Sequence, residues 1–301
     1  MEVVPMRPAR IYLNQHLTDL QRRRKLFEGD IFIFSNLRAC SDICQHAMDT
    51  LCDVFETDSP ETAYLNLPVQ EFVRRTEAVK NRFTNGLRSK ELLQKYAVET
   101  GSSPQDYYFD VPHIRIVPNY DYLHAGVSYA YAPHRDPWYG GPQYQINHWM
   151  PVRPIAPEQT MAIYPTYFDR PVKNSSDQFD LDHWINVERK KAVSNIEKEE
   201  RVHPLPLEDI DVAAEIRFGG NAGDIMIFSG VHLHASVPNR TSETRFSVDF
   251  RFYHIDDIKT NGKGEIREPA NVDSKATGNI LTTLFHLGDF TPFGQREELV
   301  Q

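Results

Sequence analysis

The sequence predicts a mainly β fold with helices (α+β), in which a helical N-terminal part packs against an antiparallel sandwich or barrel. Three observations lead there. Apolar residues recur at helical spacing through most of the first hundred positions. From about residue 111, short runs rich in β-branched and aromatic residues alternate with Pro and Gly. One charged segment, inserted among those runs, lacks an apolar stripe. At 301 residues, 40% hydrophobic and 25% charged, the chain is long enough for one large core.

In chain order, "DIFIF" (30–34) reads as an apolar strand within the helical part. "SDICQHAMDTLCDVFE" (41–56) places Ile43, Ala47, Met48, Leu51, Val54 and Phe55 on one helical face, with Ser41 as the expected N-cap. Residues 69–83 repeat the pattern through Phe72, Val79 and Phe83. Ser89 is the expected cap of "KELLQKYAVET", which stops at Gly101. The basic runs "QRRRK" (21–25) and "ERKK" (188–191) read as solvated helix faces. The strand candidates are "HIRIV", "VSYAYA", "YQINHWMPV", "TMAIYP", "AAEIRF", "DIMIFS", "HLHASV" and "RFSVDFRFYH". Residues 177–200 interrupt them as a charged helix. "GGNAGD" (219–224) lacks the lysine and following helix of a phosphate loop, so it reads as a tight turn.

Composition narrows the function classes. A formal net charge of −9 argues against nucleic acid or an anionic membrane as the main partner. No apolar run approaches the roughly 20 residues that span a bilayer, and the N-terminus lacks the apolar core of a signal peptide. Cys40, Cys44 and Cys52 fall in one helical stretch with no second Cys/His cluster to complete a disulfide framework or zinc site. A cytoplasmic protein is the expectation, and in it the sequons at Asn174 and Asn239 carry no glycan.

Chemistry enters with "YAPHRDPWYGG" (131–141), where His134 and Asp136 stand at i and i+2 on an extended stretch and so face one way. Alone, such a pair is ordinarily a solvated loop feature. A partner is available near the C-terminal end, where "VHLHASVPN" carries His232 and His234, again on one face. Two imidazoles and one carboxylate with open positions form the facial set of non-haem Fe(II) oxygenases. In "RFSVDFRF", Arg245, Ser247, Asp249 and Arg251 alternate with Phe246, Val248, Phe250 and Phe252, as on a strand lining a polar pocket. Asp249 and Arg251 read as a structural ion pair.

On these residues the chain resembles the Fe(II)- and 2-oxoglutarate-dependent dioxygenases, in the branch similar to phytanoyl-CoA and ectoine hydroxylases. That branch carries H-x-D, then a histidine in an H-x-S-x-x-N context, then an arginine. "HASVPN" (234–239) matches this context and selects His234 over His232, and Arg245 follows His234 by the branch's spacing of eleven residues. The stretches "HRDPWY", "QINHWMPV", "YFDRPVKNSS" and "TRFSVDFR" extend the likeness to bacterial oxygenases of natural-product pathways. The resemblance implies a double-stranded β-helix (jelly roll, cupin-like). It implies Fe(II) held by His134, Asp136 and His234, with 2-oxoglutarate and O2 as co-substrates. Arg245, helped by Ser236 and Ser247, would hold the distal carboxylate of 2-oxoglutarate, with Trp149, Asn147 and Tyr131 beside it. Asp136 argues against halogenation, because halogenating relatives carry a small residue there.

The expected organisation is one domain over 1–301: a mostly helical part over 1–110, a jelly-roll core over 111–260 with a lid-like insertion at 166–215, and an extension over 261–301. Tyr167, Phe168 and Trp184 would face the pocket from the insertion, and Trp138, Tyr139 and Arg115 would contact substrate. Aromatic walls with a few charges suit a small polar metabolite, a free amino acid or derivative. Hydroxylation is the default outcome, with ring closure such as cyclopropane formation as a variant. The rival readings are a cupin-type metal enzyme that does not use 2-oxoglutarate, and a member that binds a ligand without turning it over.

Overall fold

The computed structural model describes residues 9–262 and 273–295. Residues 1–8 of the expected helical part, and 263–272 and 296–301 of the expected extension, lie outside the described residues. In order the elements are β1 (Ile11–Leu13), α1 (Asp19–Phe27), β2 (Ile31–Phe34), α2 (Arg38–Phe55), α3 (Val69–Asn85), α4 (Leu87–Glu99) and β3 (Tyr107–Val117). Then come β4 (Ile146–Pro151), β5 (Met161–Ile163), α5 (Leu181–Asn186), β6 (Ile216–Arg217), β7 (Ile225–Ser229), β8 (His234–Ser236), β9 (Arg245–His254), α6 (Ile255–Thr260) and β10 (Phe285–His286).

Two sheets form. The larger runs β1-β2-β7-β4-β9-β3-β10 and the smaller β6-β5-β8. A bridge between His134 and His234 adds the H-x-D segment to the free side of β8. Following the chain from β3, the strands alternate between sheets: β3 large, the 134 bridge small, β4 large, β5 and β6 small, β7 large, β8 small, β9 large. That winding is a double-stranded β-helix. Among the described residues, pairing between the named strands is antiparallel except for β1 on β2, which extends the large sheet beyond β7.

Register sorts the two faces of the large sheet. Phe246, Val248, Phe250 and Phe252 of β9 pack outward with Ile114 and Ile116 of β3 against α2, α3 and α4, in one core that includes Ile43, Leu51, Phe72, Val79, Leu92 and Tyr96. Between the sheets lies a smaller cluster of Ile31, Trp149, Ile155, Met161, Ile163, Phe218, Met226 and Phe228. The remaining inner positions are polar: Arg115 stands opposite Ser247, His113 and Trp149 opposite Asp249, and Asn147 opposite Arg251. Opposed residues share a face, so the barrel interior is apolar at one end and charged at the other.

Several local expectations are corrected. Ser41 does not cap α2; it lies inside the helix and bonds the Leu37 carbonyl. The exposed first-turn amides of Arg38 and Ala39 are bonded instead by the Glu99 carboxylate, from the end of α4, at 2.8 and 2.7 Å. A tertiary acid thus replaces the local hydroxyl. Ser89 likewise lies within α4 and donates to the Phe83 carbonyl at 2.6 Å. The run "QRRRK" is not a solvated face, because Arg22 and Arg23 are buried on α1, where Arg23 bridges Asp19 (2.9 Å) and Asp257 (2.8 Å). "VSYAYA" forms no strand; Gly126–Ser128 is a single 3-10 turn. Residues 177–200 are not one helix, since α5 ends at Asn186 and a 3-10 turn, Glu188–Val193, follows. Without an apolar stripe nothing stabilises a longer helix there.

Candidate active site

His134, Asp136 and His234 are buried and meet where the H-x-D segment crosses β8, with ligand atoms all within 4.8 Å of one another. The backbone sets this up. His134 and His234 exchange both N–H···O bonds at 2.9 Å. Arg135 is extended (φ −117°, ψ 146°), so its neighbours project to the side opposite its own. Asp136 then begins a 3-10 turn, Asp136–Tyr139, which Gly140 ends at φ 82°. Arg135 itself points into the protein and is fully buried. It donates to the carbonyls of Val231 (2.6 Å), Tyr167 (2.6 Å) and Arg170 (2.9 Å) and pairs with Asp273 at 3.2 Å.

Each imidazole is oriented by a carbonyl: His134 Nδ1 bonds Ala132 O at 2.8 Å and His234 Nδ1 bonds His232 O at 2.9 Å. A carbonyl only accepts, so Nδ1 carries the proton and Nε2 keeps its lone pair for a metal. The Asp136 carboxylate is divided in the same way. Oδ2 accepts from Gln145 Nε2 at 2.7 Å and from Asn147 Nδ2, while Oδ1 faces His234 Nε2 at 4.0 Å. Gln145 is held in turn by the Tyr253 hydroxyl, which donates to its Oε1 at 2.7 Å. Burial pushes the Asp136 carboxyl up, but His234, Arg251, His134 and the Asn147 bond outweigh it and hold the group below its ordinary range. Burial and the neighbouring His234 push His134 down to about 3, which keeps it neutral and able to ligate. Three donors converging from one side can hold one divalent metal ion with open positions opposite.

His232 takes no part. It is fully buried in the bend before β8, off the strand that carries His234, against the rings of Phe168 (4.6 Å) and Phe228 (6.3 Å), and burial pushes it down to about 3.

Arg245 projects from the start of β9 into the same interior and is 5% exposed. Its Nη1 donates to the carbonyls of Thr160 (3.0 Å) and Gln159 (3.4 Å), and among the described residues it has no carboxylate partner. Burial, with Arg115 nearby, pushes this guanidinium down to about 10. Its Nε, the Ser247 hydroxyl and the Thr160 hydroxyl are all buried without a hydrogen-bond partner. Ser236 lies two residues past His234 on β8, partly exposed on the same face. Orphaned polar groups gathered around an unpaired buried cation form a cradle for a carboxylate.

The mouth is aromatic. The Tyr139 ring lies 5.1 Å and the Tyr131 ring 5.5 Å from that of His134. The Tyr139 hydroxyl bonds His203 Nδ1 at 3.1 Å, and His203 stacks on Tyr129 at 4.2 Å and meets Trp184 at 4.9 Å. Phe179 closes the group 5.1 Å from Tyr139. Trp184 and Tyr139 thus belong to one aromatic group, their rings 6.2 Å apart. Trp138 does not: it is fully buried behind the small sheet, with Nε1 on Asp273 at 2.7 Å. Tyr167 and Phe168 also miss the mouth, the first packing beside Trp138 and the second over Gly29 and His232. Trp149 packs on Phe218 between the sheets. Arg115 is 29% exposed, with a two-pronged bond to Asp249 (2.6 and 3.0 Å) and its guanidinium 5.6 Å from the Tyr131 ring. The insertion docks through Glu199 and Arg201. Glu199 accepts from the Gly126 amide at 2.9 Å and Arg201 donates to the Gly126 carbonyl at 2.8 Å.

The sequence reading missed Gln145, Tyr253, Tyr129 and His203. Gln145 had a signal, because "QINHW" sets it on the face of Asn147 and Trp149. Tyr253 had one too, as the next residue after Arg251 on the alternating face of β9, whereas Tyr129 and His203 reach the site only through tertiary packing.

No family model and no curated protein matches the chain. Among solved structures it is similar to EvdO2 from Micromonospora carbonacea var. aurantiaca, at 14% identity and a TM-score of 0.36, over 63% of this chain and 61% of EvdO2. The match thus spans about six-tenths of that protein. ThoJ, described as a non-heme monooxygenase, matches at 14% identity and a TM-score of 0.42, over 79% of this chain and 82% of its own. SnoN, a non-heme alpha ketoglutarate dependent epimerase from nogalamycin biosynthesis, matches at 13% identity and a TM-score of 0.39, over 89% and 98%. At identities and scores this low, the assignment of an activity falls to the side chains themselves.

Proposed function

We propose that the chain is an Fe(II)- and 2-oxoglutarate-dependent oxygenase, one catalytic domain that oxidises an unactivated C–H bond of a small polar metabolite such as a free amino acid or derivative. The observation that carries the reading is Arg245, a buried guanidinium without a carboxylate partner among the described residues, in the same chain as the buried His134–Asp136–His234 cluster. A metal set alone fits many enzymes. A metal set with an unpaired arginine and an orphaned serine beside it fits a co-substrate with a carboxylate at each end.

His134, Asp136 and His234 hold the metal, with Asn147 and Gln145 fixing which carboxylate oxygen faces it. Arg245 and Ser247, with Ser236, hold the far carboxylate of 2-oxoglutarate. Bound iron supplies the redox chemistry by which 2-oxoglutarate and O2 become succinate and CO2 while one oxygen atom goes to the substrate. Tyr131, Tyr139 and Trp184 wall the opening and exclude water. Hydroxylation is the default outcome, and oxidative ring closure uses the same residues.

The test is succinate formation from 2-oxoglutarate with Fe(II), ascorbate and O2. Asp136→Ala should abolish it with the fold intact. Arg245→Ala should raise the KM for 2-oxoglutarate by about two orders of magnitude, since an unpaired buried carboxylate costs several kcal/mol. An unchanged KM in that variant would leave a metal enzyme without this co-substrate.

A further inference from the structure

Beyond the metal cluster and the Arg245 cradle, a second group of charges lies at the aromatic mouth. Lys80 projects from α3, whose buried face is set by Phe72, Val73, Thr76, Val79 and Phe83. Among the described residues, β10 pairs with β3 only at Tyr108 and Phe109, and the later residues of β3 have a strand neighbour on one side alone. Lys80, partly buried on that side, lies within electrostatic reach of Arg115 and Asp249 at the charged end of the interior. Its ammonium donates to the Val127 carbonyl, in the turn whose preceding carbonyl, Gly126, receives Arg201.

The charges around Lys80 do not balance locally. Arg115 is matched by Asp249 and Arg201 by Glu199, which bonds it at 2.6 and 2.7 Å. Lys80 has no carboxylate within ion-pair distance among the described residues; the guanidiniums of Arg115, Arg201 and Arg189 act against its charge, and Asp249, already paired with Arg115, acts in its favour. Burial and these guanidiniums push the amine down to about 7. An ammonium in such a place is costly unless an anion joins it. The local balance is positive with no carboxylate free to meet Lys80, and a single ammonium matches a carboxylate better than a phosphate dianion. Aromatic rings border the same space: Tyr131 lies under Arg115, and Trp184 lies 5.5 Å from the Arg201 guanidinium.

We infer that Lys80, flanked by Arg115, is the recognition site for a carboxylate on the substrate, whose apolar body lies against Tyr131, Tyr139 and Trp184 beside the metal cluster. This rests on the oxygenase reading for the identity of the reacting centre. It makes Lys80 a specificity residue distinct from Arg245, which serves the co-substrate.

The experiment uses protein loaded with Ni(II) and 2-oxoglutarate, titrated calorimetrically with hexanoate, hexanamide and inorganic phosphate. Hexanoate should bind saturably while the amide and phosphate do not. Lys80→Met, which keeps the apolar stem, should weaken hexanoate by about tenfold to a hundredfold, the usual worth of a hydrogen bond to a charged group. Lys80→Arg should restore most of it. Affinity for 2-oxoglutarate should stay within about twofold in both variants, by the independence of separated sites. Equal binding of the amide, preference for phosphate, no saturable hexanoate binding, or indifference to Lys80→Met would each overturn the inference. So would a loss of 2-oxoglutarate affinity in Lys80→Met, which would assign the lysine to the co-substrate. Failure of 2-oxoglutarate to bind the wild-type, metal-loaded protein would instead refute the oxygenase reading, and hexanoate would still report on Lys80.

Discussion

Each metal-facing side chain is aimed by a partner with one available role. The carbonyls of Ala132 and His232 fix Nδ1 of His134 and His234, and the amides of Asn147 and Gln145 occupy Oδ2 of Asp136. The two histidines of "VHLHAS" are thereby separated in role as well as in place. His234→Ala should abolish stoichiometric Fe(II) or Ni(II) binding measured by calorimetry. His232→Leu should keep it, because the carbonyl of residue 232, not its imidazole, holds His234. Metal lost from the second variant and kept by the first would reverse the assignment. At this scale the sequence was informative wherever one strand carried the signal: H-x-D, "HASVPN" and the alternation in "RFSVDFRF" each put their residues on the interior face. It was silent where a side chain crosses from another element, as Lys80 does from α3 and His203 from the insertion. Trp138 misled for a related reason, since in a 3-10 turn successive residues point three ways and adjacency to Asp136 does not place a ring at the mouth.

Among the elements, the insertion depends most on one position. Gly126 has φ +58°, and a Cβ there would overlap the carbonyl oxygens of Ala192 and Asn195. Its amide and carbonyl are the points that Glu199 and Arg201 grip. Gly126→Ala should therefore lift the insertion without unfolding the barrel: proteolysis within 187–201 should speed up, near-ultraviolet dichroism from Trp184 should fall, and the thermal midpoint should drop by only a few degrees. A variant cut no faster than wild type would mean that the docking does not need the close approach. The helical third was well read because its amphipathic faces are local. The caps were misread because Glu99, at the far end of α4, serves the start of α2. A short β1 and β2 pairing in parallel leave no hairpin signal for a sequence to show.

For the whole molecule, two ways of burying polarity set its response to acid. Asp110, Asp249, Arg115 and Arg251 form a chain of ion pairs through the interior. His148 is buried neutral among Phe250, Phe252 and Tyr96, stacked on Phe250 at 4.6 Å. Burial, with Arg22 nearby, pushes it from 6.5 down to about 3. A histidine whose folded value is depressed lends stability above the unfolded value, and that stability is lost as the pH falls. Between about pH 6 and 4 the unfolded chain takes up a proton there that the folded chain refuses, at about 1.4 kcal/mol per pH unit. His148→Phe should flatten the fall in unfolding free energy over that range, measured by urea denaturation. An unchanged slope would mean that His148 titrates normally in the fold. The acid pairs follow below the ordinary carboxylate value of 3.8, where Asp249, held down against its burial by Arg115 and Arg251, finally takes up a proton.

Arg135, between the two ligands of H-x-D, gives the molecule an order of completion. Its buried guanidinium is neutralised by Asp273, which also receives the Trp138 indole and the Val172 amide. A ribosome delivers His134 and Asp136 first and His234 and Arg245 later, yet the counter-charge that seats the loop carrying the first two, Asp273, emerges after all of them. Until then, closing the loop would strand a cation in the interior. The pairing that seats this loop is therefore available only after residue 273 has been made.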